Sequence, residues 1–126
     1  MKTLRIAFAA ALAVTFASPG FTASAWAHAF LDHAVPPVGS TAPSAPGELS
    51  LSFSEKIVPA FSGASLTTAA GTSIPTGQTR VGPSDPATLH VALGRKLAPG
   101  TYVVHWHVVS VDTHRTSGSY KFTIAP

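Results

Sequence analysis

The run Thr101–Val109 (TYVVHWHVV) limits this chain more than any other feature. It is dense in β-branched and aromatic side chains, which suit a pleated, half-buried surface far better than a helix. Alternation along a strand puts Tyr102, Val104, Trp106 and Val108 on one face and Val103, His105, His107 and Val109 on the other. The first set reads as core. Glu48–Ser54 (ELSLSFS) repeats the pattern, with Leu49, Leu51 and Phe53 on one side and serines on the other. Shorter strand candidates are Gly63–Thr68, Thr88–Leu93 and Ser119–Ile124, separated by turn signals at 36–40, 43–47, 82–86 and 98–100. No stretch downstream of the N-terminus sustains a 3.6-residue period flanked by caps. Short strands at a spacing of about 8–12 residues predict an all-β sandwich or barrel.

With 126 residues the chain makes one domain at most, and 45% hydrophobic against 10% charged residues excludes a disordered polymer. There is no cysteine, which removes disulfides, thiolate metal sites, iron–sulfur clusters, cysteine nucleophiles and blue-copper centres together. Lys2 and Arg5 precede an apolar run from Ile6 to Ala17, and small residues follow. That is the pattern of a secretory signal peptide, too short for a comfortable membrane span of about 20 residues. Small residues at −3 and −1 recur in three overlapping frames, ending at Ala25, Ala27 and Ala29. A cut after Ala27 leaves residues 28–126, beginning with His28 and carrying 6 Lys+Arg against 5 Asp+Glu. No basic run survives, so nucleic acid is not an expected partner.

Two groups of residues invite chemistry. His105 and His107 form an H-x-H pair on the outward face of the 101–109 strand, where most such histidines are merely solvated. Ser110, Asp112 and His114 together suggest a hydrolase triad, but a triad draws its members from separate elements and needs an oxyanion hole. No G-x-S-x-G elbow exists in the chain. Asp112 and His114 suit a metal better, since in an extended segment they project from one side about 7 Å apart. If His28 is the true first residue, its free α-amine and ring Nδ1 can chelate the same ion. The set is then amine, imidazole, carboxylate and imidazole, a tetragonal N/O environment that favours Cu(II).

His28-Ala29-Phe30-Leu31, Pro36-Pro37-Val38-Gly39-Ser40, Leu51-Ser52-Phe53-Ser54-Glu55, Phe61-Ser62-Gly63-Ala64 and Ala98-Pro99-Gly100-Thr101-Tyr102 follow one another in an informative order. With Trp106-His107-Val108-Val109-Ser110-Val111-Asp112-Thr113-His114 and Gly118, Ser119 and Phe122, they resemble the CopC family of periplasmic copper-resistance proteins across essentially all of 28–126. The resemblance implies a seven-stranded Greek-key β-sandwich, immunoglobulin-like or cupredoxin-like, and a Cu(II) site made by His28, Asp112 and His114. It also implies cleavage after Ala27, giving a signal peptide over 1–27 and a copper-binding domain over 28–126. Some members carry a Met-rich Cu(I) loop, but the matching stretch Thr67–Pro75 has no methionine, and Met1 is the chain's single one. His107 stands where arginine is common in relatives, and Asp32 and His33 fall outside the family pattern.

The expected function is that of a non-catalytic periplasmic copper carrier or buffer, soluble and monomeric, serving copper homeostasis. Its implied partner is an inner-membrane copper permease of the CopD type. The alternative is a copper-dependent oxidative enzyme with an N-terminal histidine brace. Against it stand Asp112 in the ligand plane and the lack of an extended substrate surface. A sandwich that serves only adhesion is separated from both by whether Cu(II) binds.

Overall fold

The computed structural model describes residues 29–126. The expected signal peptide over 1–27 and the expected ligand His28 lie outside the described residues. Two sheets face each other. The first has strand order β1-β3-β7-β6, from β1 (Leu31–Val35), β3 (Glu48–Phe53), β7 (Thr88–Ala92) and β6 (Thr79–Arg80). The second has order β2-β9-β8-β4-β5, from β2 (Thr41–Ala42), β9 (Arg115–Ile124), β8 (Gly100–Val109), β4 (Gly63–Thr68) and β5 (Ser73–Ile74). The chain passes repeatedly from one sheet to the other, and β2 joins β9 in parallel while the remaining pairs are antiparallel.

The expected sandwich is therefore the fold. Its strands number nine among the described residues because three two-residue pieces, β2, β5 and β6, pair at or near the sheet edges. Such pieces are too short to leave a hydrophobic period in the sequence. β9 starts at Arg115, four residues before the expected Ser119. Arg-Thr-Ser-Gly-Ser has little β preference of its own, and full pairing with β8 from Val109↔Arg115 to Gly100↔Ile124 imposes it. β1 escaped the sequence pattern because its register is irregular between Leu31 and His33.

Alternation decides the core. Leu49, Leu51 and Phe53 of β3, with Leu89 and Val91 of β7, meet Leu66, Tyr102, Val104, Val108, Tyr120, Phe122 and Ile124 from the opposite sheet. The inward set expected on β8 is the observed one, although Trp106 is only half-buried. Its indole stands edge-on to Phe53, ring centroids 5.1 Å apart at 66°, while Tyr102 stacks on Phe122 at 5.8 Å. The Tyr102 hydroxyl donates to the Ala98 carbonyl at 2.7 Å, so a polar tip leaves the core satisfied. Burial pushes the Tyr120 hydroxyl up to about 12, and no hydrogen-bond partner meets it among the described residues.

A segment of non-strand chain crosses the end where β8 turns into β9. Ser54 N–H donates to the Phe30 carbonyl, Val58 N–H to that of Val109, and Val111 N–H to that of Lys56, all within 3.0 Å. Ile57 bridges Ser110, and a 3-10 turn at Pro59–Phe61 closes the strap. At the opposite end, the β4–β5 turn runs through Gly71, with φ of +89°. Among the described residues no helix is long and apolar enough to cross a membrane.

Gly118 is fixed by packing. A Cβ there would lie 2.6 Å from Cζ2 and 2.9 Å from Cε2 of the Trp106 indole, closer than real Cβ atoms come. Gly118→Ala should therefore cost about 1–3 kcal/mol of folding stability through displacement of the ring. Equilibrium urea unfolding measures it. An unchanged midpoint would mean that Trp106 shifts at no cost.

Candidate metal centre

The β8–β9 connection is five residues, Ser110 to His114, and it is a turn rather than the extended segment expected from the sequence. Ser110 N–H donates to the His114 carbonyl at 2.9 Å, and Thr113 N–H to that of Ser110 at 2.8 Å. Thr113 takes up the reversal with φ of +75°, a left-handed conformation unusual for a β-branched residue. The turn still brings Asp112 and His114 to one side, and far closer than an extended chain would. Oδ2 of Asp112 is 3.1 Å from Nδ1 of His114. Both side chains stay more than a third exposed, at 37% and 38%, while the His114 Nδ1 atom that faces the carboxylate is itself buried against it.

What holds the carboxylate is Ser110. It is completely buried, yet its hydroxyl donates to Oδ1 of Asp112 and also lies 3.3 Å from the His114 carbonyl. The Ser110 hydroxyl does most to hold the Asp112 carboxyl below its ordinary value. Lost hydration pushes the other way, while hydrogen bonds from the His114 ring and amide, and the ring's charge, add to the lowering. A carboxyl depressed in the fold stabilises the protein above its unfolded value, and that contribution disappears as the pH falls through the folded value. The sequence put Ser110 beside these residues only as a triad member to be rejected. Its role as a buried clamp has no sequence signature.

The donor set fits a metal. Two oxygen or nitrogen donors at right angles on one small divalent ion, each about 2.0–2.2 Å from it, are roughly 2.8–3.1 Å apart. The observed 3.1 Å between Oδ2 and Nδ1 matches that separation. Anionic oxygen with neutral imidazole suits Cu(II), Zn and Ni rather than a soft Cu(I) ion. No group of three or more His, Cys, Asp or Glu side chains placed to hold a metal occurs among the described residues, so the pair needs a further donor. His28, the expected one, lies outside them. The described chain begins beside the pair: the Ala29 carbonyl accepts from the Thr116 hydroxyl at 2.8 Å, and Phe30 N–H donates to Ser54 Oγ at 2.8 Å.

The other candidates lie elsewhere. His105 and His107 are exposed on the outer face of the second sheet, with the His105 ring 3.2 Å from the Thr67 hydroxyl. Asp32 and His33 are exposed on β1. The stretch Thr67–Pro75, without methionine, forms the β4–β5 hairpin at the far end of the sandwich. His90, which the sequence did not single out, is clamped between carboxylates: Nδ1 lies 2.9 Å from Glu48 Oε1 and Nε2 2.6 Å from Asp85 Oδ2. Arg80 holds the other Glu48 oxygen at 2.9 Å, so the group fastens β3, β6 and β7 to the loop at Asp85.

Comparison with known proteins gives this arrangement a family. The CopC domain model matches residues 31–125. Protein YobA of Escherichia coli K12 is 43% identical over 103 residues, covering 82% of this chain and 83% of its own. Copper resistance protein C of Xanthomonas campestris pv. juglandis is 41% identical over 108 residues, covering 82% and 84%. The crystal structure of CopC from Methylosinus trichosporium OB3b superposes with a TM-score of 0.74 at 31% identity, over 79% of this chain and 95% of that one. A domain match over nearly all the described residues, with relatives above 40% identity, places the chain in the CopC family.

Proposed function

We propose that this protein binds Cu(II) through His28, Asp112 and His114 and carries or buffers the ion in the periplasm. The family makes it a copper-resistance protein rather than an enzyme. The observation that carries the finer reading is the Asp112–His114 pair, set 3.1 Å apart by a turn whose geometry a buried serine maintains. His28 is one peptide before Ala29, about 3.8 Å between Cα atoms, and Thr116, which binds the Ala29 carbonyl, is two residues from His114. That proximity supports His28 as the third residue of the set. Processing after Ala27 would free its α-amine, adding a chelating nitrogen beside the ring. Asp112 and His114 sit at the tip of a long hairpin with their side chains more than a third exposed, as suits an ion that must be taken up and released. The receiving partner in this reading is a membrane copper permease of the CopD type.

The mature protein should bind one Cu(II) per chain, with a tetragonal, nitrogen-rich electron paramagnetic resonance spectrum. Asp112→Ala and His114→Ala should each change that spectrum and weaken binding more than tenfold, about 1.4 kcal/mol, in competition with a Cu(II) chelator. Ser110→Ala should weaken it less, because both ligands remain but the carboxylate loses its clamp. His105→Ala should leave affinity and spectrum alone. Binding lost in His105→Ala and kept in Asp112→Ala would move the site to the outer face of the second sheet.

Affinity should also fall on acidification from about pH 8 to 5, since Cu(II) must displace protons from the α-amine and imidazole nitrogens to bind them. A flat affinity across that window would remove both kinds of nitrogen from the site.

The chain end provides the most direct test. One glycine ahead of His28 converts its amine to an amide, a far poorer ligand, and leaves the fold untouched. Cu(II) affinity should drop by more than tenfold at equal pH. Equal affinity in the two forms would exclude the terminal amine.

A further inference from the structure

Next to the metal centre, but sharing no side chain with it, the outer face of the second sheet holds a second arrangement. Phe61, Ser62, His107, Arg115 and Ser117 frame an open cleft of about 420 Å³, within the range of small-molecule sites. β pairing fixes its floor. His107 lies directly opposite Ser117 across the β8–β9 ladder, and Arg115 projects from the same face two residues earlier on β9. The Ser62 hydroxyl fixes its wall, donating to the Val58 carbonyl at 2.8 Å and accepting from Val109 N–H at 3.1 Å. The 3-10 turn that carries the exposed Phe61 is thereby fastened to β8.

The Ser62 hydroxyl is taken up by the fold, but among the described residues no hydrogen bond or ion pair occupies the Arg115, His107 or Ser117 side chains. Among the described residues the Arg115 guanidinium has no carboxylate partner, whereas Arg80 is paired with Glu48. No acidic side chain lines the cleft. The His107 ring lies over Gly63, whose lack of a side chain makes room for it: a Cβ there would lie 3.0 Å from its Cε1 and 3.4 Å from its Nε2. Ser117 adds a hydroxyl. A guanidinium fork, an imidazole and a hydroxyl thus line one cleft together with an aromatic ring, with nothing negative among them. A carboxylate matches the fork in shape and charge, and a flat apolar body matches Phe61.

We propose that this cleft binds a small organic monocarboxylate, its carboxylate on Arg115, His107 and Ser117 and its apolar body against Phe61. Neither Asp112 nor His114 takes part, so the site stands whatever the outcome for Cu(II).

The test uses metal-free mature protein and follows backbone amide chemical shifts. Sodium benzoate is the probe, its neutral isostere benzamide the control, and inorganic phosphate the competitor. Benzoate should give saturable shifts at residues 60–63, 107–109 and 115–117, and benzamide should not. Arg115→Gln should weaken benzoate about tenfold or more, Arg115→Lys should recover part of the loss, and His107→Ala should weaken it less. His105→Ala, one outward position back on β8, should change nothing. Shifts that rise linearly without saturating, or equal affinity in Arg115→Gln, would overturn the proposal. Benzamide binding as tightly would reduce the cleft to an apolar surface. Phosphate displacing benzoate at equal concentration would make it a site for charge alone, and the assignment to an organic acid would fail.

Discussion

Everything at the working end of this protein hangs on the pairing of β8 with β9. Ten consecutive residue pairs, from Gly100↔Ile124 to Val109↔Arg115, make a hairpin stiff enough to place its five-residue connection without help from a helix or a disulfide. One face of the hairpin supplies Tyr102, Val104, Val108, Tyr120 and Phe122 to the core. The turn supplies Asp112 and His114. The strap from Ser54 to Ser62 then crosses the hairpin tip and joins it to the other sheet through backbone hydrogen bonds. Packing and the placement of the Asp112–His114 pair are two outcomes of one register. A slip by a single residue would turn every core side chain outward and break the turn at once.

Ser110 is the point where the two meet. A buried hydroxyl costs free energy unless it finds a partner, and here it has the Asp112 carboxylate. Its backbone closes the turn against His114 while its side chain aims the Asp112 carboxylate. The carboxylate is thus oriented from inside the protein, while more than a third of its side chain stays exposed. This is the arrangement expected of a site that must be ready before its ion arrives.

Much of this was legible in the sequence, and the reasons are specific. Tyr102, Val104 and Val108 declared the inward face of β8 because alternation in a β-rich run has few other meanings. Leu49, Leu51 and Phe53 did the same for β3. The order of motifs over 28–126 carried the family, and with it the pairing of Asp112 with His114. What escaped depends on partners distant in sequence. The first four residues of β9 are strand only because β8 lies alongside. The Ser110–His114 segment turns because Thr113 adopts a left-handed conformation that no local propensity favours. Ser110 looked like a stray nucleophile. His90, on a strand that was foreseen, gave no sign that Glu48, some forty residues earlier, and Asp85 would close on both ring nitrogens.

The two ends of the sandwich are organised independently. Asp112 and His114 occupy the turn after β8, while the methionine-free β4–β5 turn lies at the other extremity, and the packed core between them is shared. The residues of the β4–β5 hairpin can therefore change at one pole. No compensating change is demanded at the other pole, because neither the register of β8 on β9 nor the Ser110 clamp passes through that loop. The two poles are thus modular, and substitutions in one turn leave the geometry of the other in place.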